Sequence, residues 1–295
     1  MKILLTGKNG QVGFELQRSL SLLGKVVAID IQDCDLKDEH AIRRLVQAIE
    51  PNVIVNPAAY TAVDKAESEP ASAEAINARA PAVLAQEAQR LGAMMVHFST
   101  DYVFDGTLSR AYAETDTPNP SSVYGATKLA GELAVQAACS RHLILRTSWV
   151  VGAHGGNFAK TMLRLSAERD SLSVVADQFG APTSAALLAD LSALLVRDAT
   201  RQPATGFPYG LYHAVASGVT SWHEYACHVI ERAREAGRPL RVAATAIHPI
   251  SSAEYPTPAK RPTNSRLDTT KLQHTFSVNL PHWQAGVDHI LEQIL

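Results

Sequence analysis

The chain has 295 residues, 46% of them hydrophobic and 19% charged, with a formal net charge of −2 at pH 7. That length suits one large α/β domain or a nucleotide domain with a smaller lobe, and so even a charge balance gives no basic field to attract nucleic acid. No apolar run is long enough to span a membrane, and a strand begins at Lys2 where a secretory signal would lie.

Lys2-Ile-Leu-Leu-Thr6 reads as a buried strand. It runs into Gly7-Lys8-Asn9-Gly10-Gln11-Val12-Gly13, after which Phe14 to Leu20 has helical spacing. A strand, a glycine-rich turn and a helix N-terminus together cradle a pyrophosphate. Glycines let the backbone approach the ligand, and free N–H groups face it with the positive end of the helix dipole. The spacing is G-x-x-G-x-x-G rather than the commoner G-x-G-x-x-G, and a structural turn with helix-packing glycines is the alternative. Lys25 to Ile29 is a second strand that ends at Asp30, 17 residues after Gly13. A carboxylate at that tip holds the adenosine ribose hydroxyls and favours NADH. No arginine follows it, but Lys8 could meet a 2′-phosphate, so the expectation is NADH with NADPH retained.

Further on, the patterns predict a helix over 38–50, a strand over 52–55, an alanine-rich helix from Pro70 to about Leu91, a strand over 93–98, a helix from Pro120 to about Cys139 and a strand over 143–146. Strands alternating with helices make right-handed βαβ units and a parallel sheet. Beyond Trp149 the alternation loosens and glycine and proline become more prominent. The expected fold is α/β: a Rossmann-type doubly wound parallel sheet over residues 1–150, then a smaller C-terminal substrate-binding lobe over 151–295 that can return elements to the sheet. Cys34, Cys139 and Cys227 are odd in number and far apart, which fits neither a disulfide framework nor a zinc site and points to a reducing cytoplasm.

In doubly wound sheets, ligands sit at the carboxyl ends of the strands. One such end carries Ser99-Thr100-Asp101 and another Thr147-Ser148-Trp149. His97 is most simply a strand histidine with a satisfied partner. Tyr124-Gly-Ala-Thr-Lys128 places a phenol and an ammonium one helical turn apart on one face. The cation is expected to lower the tyrosine pKa from about 10 and make Tyr124 a proton donor or acceptor near neutral pH. Alone, such a pair is as well explained by a packing residue and a solvated charge.

Together, Gly7, Gly10, Gly13, Asp30, Ser99-Thr100-Asp101 and Tyr124-x-x-x-Lys128 resemble the extended short-chain dehydrogenase/reductases, Rossmann enzymes acting largely on nucleotide sugars. Thr61 to Glu67, Ser99 to Phe104, Arg146 to Trp149, Asn157 to Met162, Asp177 to Thr183 and Arg261 to Asp268 narrow the resemblance to the dTDP-4-dehydrorhamnose reductase family, nearly end to end. The resemblance implies reduction of the C4 ketone of a dTDP-4-dehydro sugar, in dTDP-rhamnose biosynthesis for cell-surface polysaccharide such as O-antigen. Tyr124 would be the proton donor. Lys128 would lower its pKa and bind the nicotinamide ribose, and Thr100 would hydrogen-bond the reacting oxygen.

By the same carry-over, Gly10, Gln11, Val12, Asp30, Asp35, Leu36, Ala59, Tyr60 and Thr61 line the cofactor, while Thr100, Asp101 and Trp149 contact the nucleotide sugar. Members are typically homodimers. Two departures stand out. The third strand ends Asn56-Pro57-Ala58-Ala59 where relatives have alanine at the second place, which removes one N–H. Some relatives bind a divalent cation with acidic residues; Glu15 and Glu292 remain available for Mg²⁺, but Ala186 stands where a glutamate is expected. A sugar 4,6-dehydratase would need a glutamate after Asp101, where Tyr102 stands. A 4-epimerase and a non-catalytic regulatory subunit are the remaining alternatives.

Overall fold

The computed structural model describes residues 1–203 and 205–295. Its strands are β1 (Lys2–Leu5), β2 (Lys25–Ala28), β3 (Val53–Asn56), β4 (Met94–Thr100), β5 (His142–Thr147), β6 (Val150–Val151), β7 (Leu172–Val175), β8 (Phe179–Gly180), β9 (Thr183–Ser184), β10 (Gly210–His213), β11 (Thr220–Ser221) and β12 (Ile247–Ile250). The helices are α1 (Gln11–Ser21), α2 (Glu39–Ile49), α3 (Val63–Ala66), α4 (Pro70–Glu74), α5 (Ala80–Leu91), α6 (Val123–Ala138), α7 (Phe158–Glu168), α8 (Ala185–Arg201), α9 (Trp222–Glu235), α10 (Thr270–Phe276) and α11 (Trp283–Ile294).

Six strands form one sheet in the order β10-β5-β4-β3-β1-β2, every pair parallel. Alternate residues serve opposite faces. Ile3, Leu5, Val53, Val55, Met94 and Val96 pack with Leu16 and Leu20 of α1 and Leu188 and Leu195 of α8. Leu4, Ile54, Met95 and Ile144 pack with Ile42 and Val46 of α2, Leu84 of α5 and Val135 of α6. Helices on both faces explain why β3 and β4 are buried along their whole length rather than on alternate residues. The chain order reverses between β1 and β3, and the glycine turn leaves the end of β1 at that switch point, where such sheets bind ligands.

The C-terminal half builds a second core. Met162 of α7, Leu172 and Val174 of β7, Tyr225 and Val229 of α9 and Val287 and Ile290 of α11 form one buried cluster. The same half also returns β10 to the main sheet beside β5.

Two helices differ from their expected form. The alanine-rich run from Pro70 is interrupted by a π-helical turn, Ala75–Arg79, between α4 and α5; π-turns insert one extra residue and favour functional sites. The helix expected from Pro120 begins at Val123, because Ser122 caps it by accepting from Gly125 N at 3.1 Å.

Candidate active site

A cavity of about 570 Å³ lies at the strand ends. It is lined by the glycine turn, Asp30, Pro57 to Ala59, Thr61, Ser99, Tyr124, Lys128, Thr147 and the Gly155–Gly156 pair. A neighbouring cavity of about 230 Å³ shares Gly7, Asp30 and Ala59 and adds Asp35 and Leu36. Of the residues expected at a cofactor, Gly7, Gly10, Gln11, Val12, Gly13, Asp30, Asp35, Leu36, Ala59, Thr61, Tyr124 and Lys128 therefore line these two spaces. Tyr60 instead sends its hydroxyl to Glu69 Oε2 at 2.7 Å.

The turn needs its glycines. Gly7 has φ +61° with Ala58 packed on it, and a Cβ on Gly13 would sit 2.0 Å from the Gly7 carbonyl oxygen. The N-cap of α1 is Gly10, with no side chain over the helix end, so the first N–H groups stay free for an anion. Asp30 accepts from Asn9 N (2.9 Å) and Ile31 N (2.8 Å), which fixes its carboxylate against the turn. Lys8 pairs with Asp33 at 2.6 Å, and the Lys8 ammonium holds that carboxyl below its usual range.

On the opposite wall, α6 presents Tyr124 and Lys128 from one face. Glu67 accepts from Val123 N at 2.8 Å and helps fix the helix start. The glycine of the pentapeptide is a packing requirement, since a Cβ on Gly125 would lie 2.1 Å from the Tyr102 carbonyl oxygen. Lys128 is buried and donates to the Phe98 carbonyl at 2.5 Å. Burial lowers its pKa to about 8, against an opposing pull from Glu132.

Tyr124 departs from expectation. Burial pushes its phenol up to about 12, partly offset by a hydrogen bond with Thr100. Desolvation of the phenolate outweighs the helical spacing, and the Lys128 ammonium is engaged by a main-chain carbonyl instead. The result is a phenol that stays protonated at neutral pH.

Thr100 and Asp101 are both buried. Thr100 Oγ1 donates to Asp101 Oδ1 at 3.1 Å and accepts from Tyr102 N at 3.2 Å. Burial raises Asp101 to about 6, with Ser265 and Thr100 pulling the other way, and its Oδ2 has no partner. Ser99 Oγ and Thr147 Oγ1 are likewise buried without partners. Ser99 and Thr147 line the cavity, whereas Thr100 and Asp101 are not among its lining residues; unpaired buried polar atoms at a cavity suit a polar ligand. Trp149 has φ +47° and stacks on Trp222 (centroids 3.7 Å apart, 18° between planes), and Gly180 packs against its indole, where a Cβ would come 2.8 Å from Cε2. His97 is bonded on one side only, Nδ1 to Asn56 at 3.1 Å, with Nε2 unpaired.

Sequence reasoning missed Asn77. It sits fully buried in the π-turn, accepts from Tyr60 N (2.8 Å) and donates to Tyr60 O and Thr127 Oγ1 (both 3.2 Å). It therefore ties the Ala59–Thr61 segment to the helix that carries Tyr124. An asparagine inside an alanine-rich helix was the available signal. Ser265 had none beyond its neighbours in a motif. For a metal, Glu15 lies 3.5 Å from Arg18 and Glu292 is exposed on α11. Among the described residues no three His, Cys, Asp or Glu side chains converge as ligands.

Compared with known proteins, residues 1–295 match the family model described as RmlD substrate binding domain. The dTDP-4-dehydrorhamnose reductase of Escherichia coli is 51% identical over 298 residues, covering 100% of this chain and 98% of that protein. The crystal structure of a dTDP-4-dehydrorhamnose reductase from Clostridium acetobutylicum is similar with a TM-score of 0.91 at 37% identity, covering 99% of both chains. That of Bacillus anthracis, solved in complex with NADP, is similar with a TM-score of 0.89 at 35% identity, again over 99% of both.

Proposed function

The chain belongs to the RmlD substrate binding domain family, and from that premise we propose that it reduces the C4 ketone of dTDP-4-dehydro-L-rhamnose to dTDP-L-rhamnose with NAD(P)H. The observation that carries the reading is a single cavity lined both by the glycine turn and by Tyr124 and Lys128. When bound, the nicotinamide supplies the hydride. Tyr124, held protonated by burial, gives its proton to the C4 oxygen as negative charge develops there. Thr100, fixed by Tyr102 N, holds that oxygen, and the Lys128 charge stabilises the phenolate left behind.

Trp149 meets the sugar, and Asp101 Oδ2 takes one of its hydroxyls. Asp30 takes the ribose hydroxyls of NADH, and Lys8, released from Asp33, takes the 2′-phosphate of NADPH. The product serves cell-surface polysaccharide in the cytoplasm of the producing cell. The enzyme works as a homodimer, a state supported by exposed Leu22, just after α1, and Leu194 on the neighbouring helix α8. Residues 151–295 act mainly as the substrate lobe.

Purified protein mixed with NADPH or NADH and dTDP-4-dehydro-L-rhamnose is expected to oxidise the cofactor, followed at the nicotinamide absorbance band. No oxidation with either cofactor sinks the reading. An epimerase would interconvert sugars with no net cofactor consumption.

A further inference from the structure

Residues 152–156 connect β6 to α7. They come from the C-terminal half, yet Gly155 and Gly156 line the same cavity as the glycine turn. The segment is tied at both ends. Lys160 donates to the carbonyls of Ala153 (2.5 Å) and Gly155 (2.8 Å), and Asn157 Nδ2 donates to Gly152 O (2.8 Å). Toward the turn, the His154 ring stacks on Phe14 of α1 (centroids 4.2 Å apart, 6° between planes) and its Nε2 bonds the Asn9 carbonyl at 3.0 Å. Asn157 also donates to Gln11 Oε1 at 3.0 Å, and Gln11 Nε2 to Val150 O at 3.3 Å.

The carbonyls of Ala153 and Gly155 are thus turned to Lys160, and among the described residues the N–H groups of Gly155 and Gly156 meet no protein acceptor. Gly155 holds φ +77°, and a Cβ there would come 3.3 Å from Gln11 Cγ, beside the N-terminus of α1. Unpaired main-chain N–H groups next to a helix N-terminus, backed by an ammonium, suit the oxygens of a pyrophosphate.

We propose that residues 152–156 form a cofactor strap, with the Gly155–Gly156 peptide contacting the pyrophosphate of bound NAD(P)H and His154 pinning the segment to the glycine turn. The proposal rests on the reading that this cavity takes NAD(P)H. The strap joins the two halves of the molecule through the ligand, so cofactor leaves only when the pin at His154 releases.

Two variants test it in the full-length protein, with NADPH affinity read by calorimetric titration and NADPH release by stopped-flow displacement. His154→Ala is expected to speed release by about three- to tenfold, the size of one lost hydrogen bond. A Cβ at Gly156 meets open space, so Gly156→Val should fold normally yet raise the NADPH Kd at least tenfold by filling the ligand's place. Wild-type Kd and release rate in both variants overturn the strap. A wild-type protein that binds neither NADPH nor NADH overturns the cofactor reading and the strap with it.

Discussion

On one side of the cavity, residues 7–13 present main chain that is contiguous in sequence and held by main-chain bonds, such as Lys8 N to Ile29 O and Gly10 N to Gly7 O, both 3.0 Å. On the other side, Tyr124 and Lys128 present side chains from α6, while Thr100 and Asp101 are buried at the carboxyl end of β4, with burial moving the acids up and the amine down. The first wall is built to bind: its geometry is fixed by where a Cβ cannot go. The second is built to react, because desolvation shifts proton affinities and leaves polar atoms waiting for a partner. Changes to one wall should therefore move affinity, and changes to the other should move turnover.

The sharpest break is Tyr124→Phe. It removes the acid and keeps the ring, so kcat should fall by roughly two to four decades, the usual worth of general acid catalysis, while the NADPH Kd holds. Normal turnover would remove Tyr124 from the mechanism. Gly13→Ala should do the reverse. A methyl 2.0 Å from the Gly7 oxygen forces the turn and α1 apart, at about 1–3 kcal/mol of stability and at least tenfold in NADPH Kd. Unfolding curves with parallel titrations check this.

The reacting wall also predicts pH behaviour. Lys128 near 8 should give kcat/KM of the free enzyme an alkaline limb, falling about tenfold per pH unit as the ammonium is lost; a profile flat through pH 9 (~one unit beyond) counts against its role. Asp101 tests the link between reactivity and stability. Its folded-state pKa is raised to about 6, so between the usual carboxyl range and about 6 the folded protein binds more protons than the unfolded chain. Stability therefore falls as pH rises through that window and stays lower at neutral pH. Asp101→Asn should stabilise the protein by about 2–3 kcal/mol at neutral pH, with the gain vanishing in acid, and should slow turnover. A gain that persisted unchanged in acid would assign it to something other than the carboxylate.

The smallest effect belongs to the binding wall. Asp33→Ala frees Lys8 from a solvent-exposed pair and should improve NADPH over NADH by about two- to fivefold, in keeping with the modest worth of such pairs. A preference that moves toward NADH contradicts the assignment of Lys8.

The same contrast governs what could be read from the sequence. The binding wall was legible because strand, turn and helix are consecutive, and Asp30 follows at the next strand tip. The reacting wall was legible only where a motif concentrated it, at Tyr124 and Lys128 and at Thr100-Asp101. Asn77 and Ser265 reach it through tertiary contacts that no local spacing encodes. The direction of the Tyr124 shift was misread for a related reason: spacing reports a nearby cation, whereas burial, which decides the sign, depends on the whole packed surround. The late start of α6 had no decisive local signal, since Asn119, Ser121 and Ser122 are all good N-caps; the packed structure selects Ser122.

One strand has a consequence for how the molecule is made. Among the described residues, the outer edge of β5 is covered by β10, whose register pairs Leu143 with Gly210 and Leu145 with Tyr212. A growing chain that has left the ribosome only as far as Thr147 carries five of the six strands and an open, apolar β5 edge, a template for pairing with another chain. It must hold that edge unpaired through more than sixty further residues (~the span to Gly210), including the whole of α8, whose Leu188 and Leu195 cover the adjoining face. The sheet can therefore close at β5 only once the chain has been made past His213.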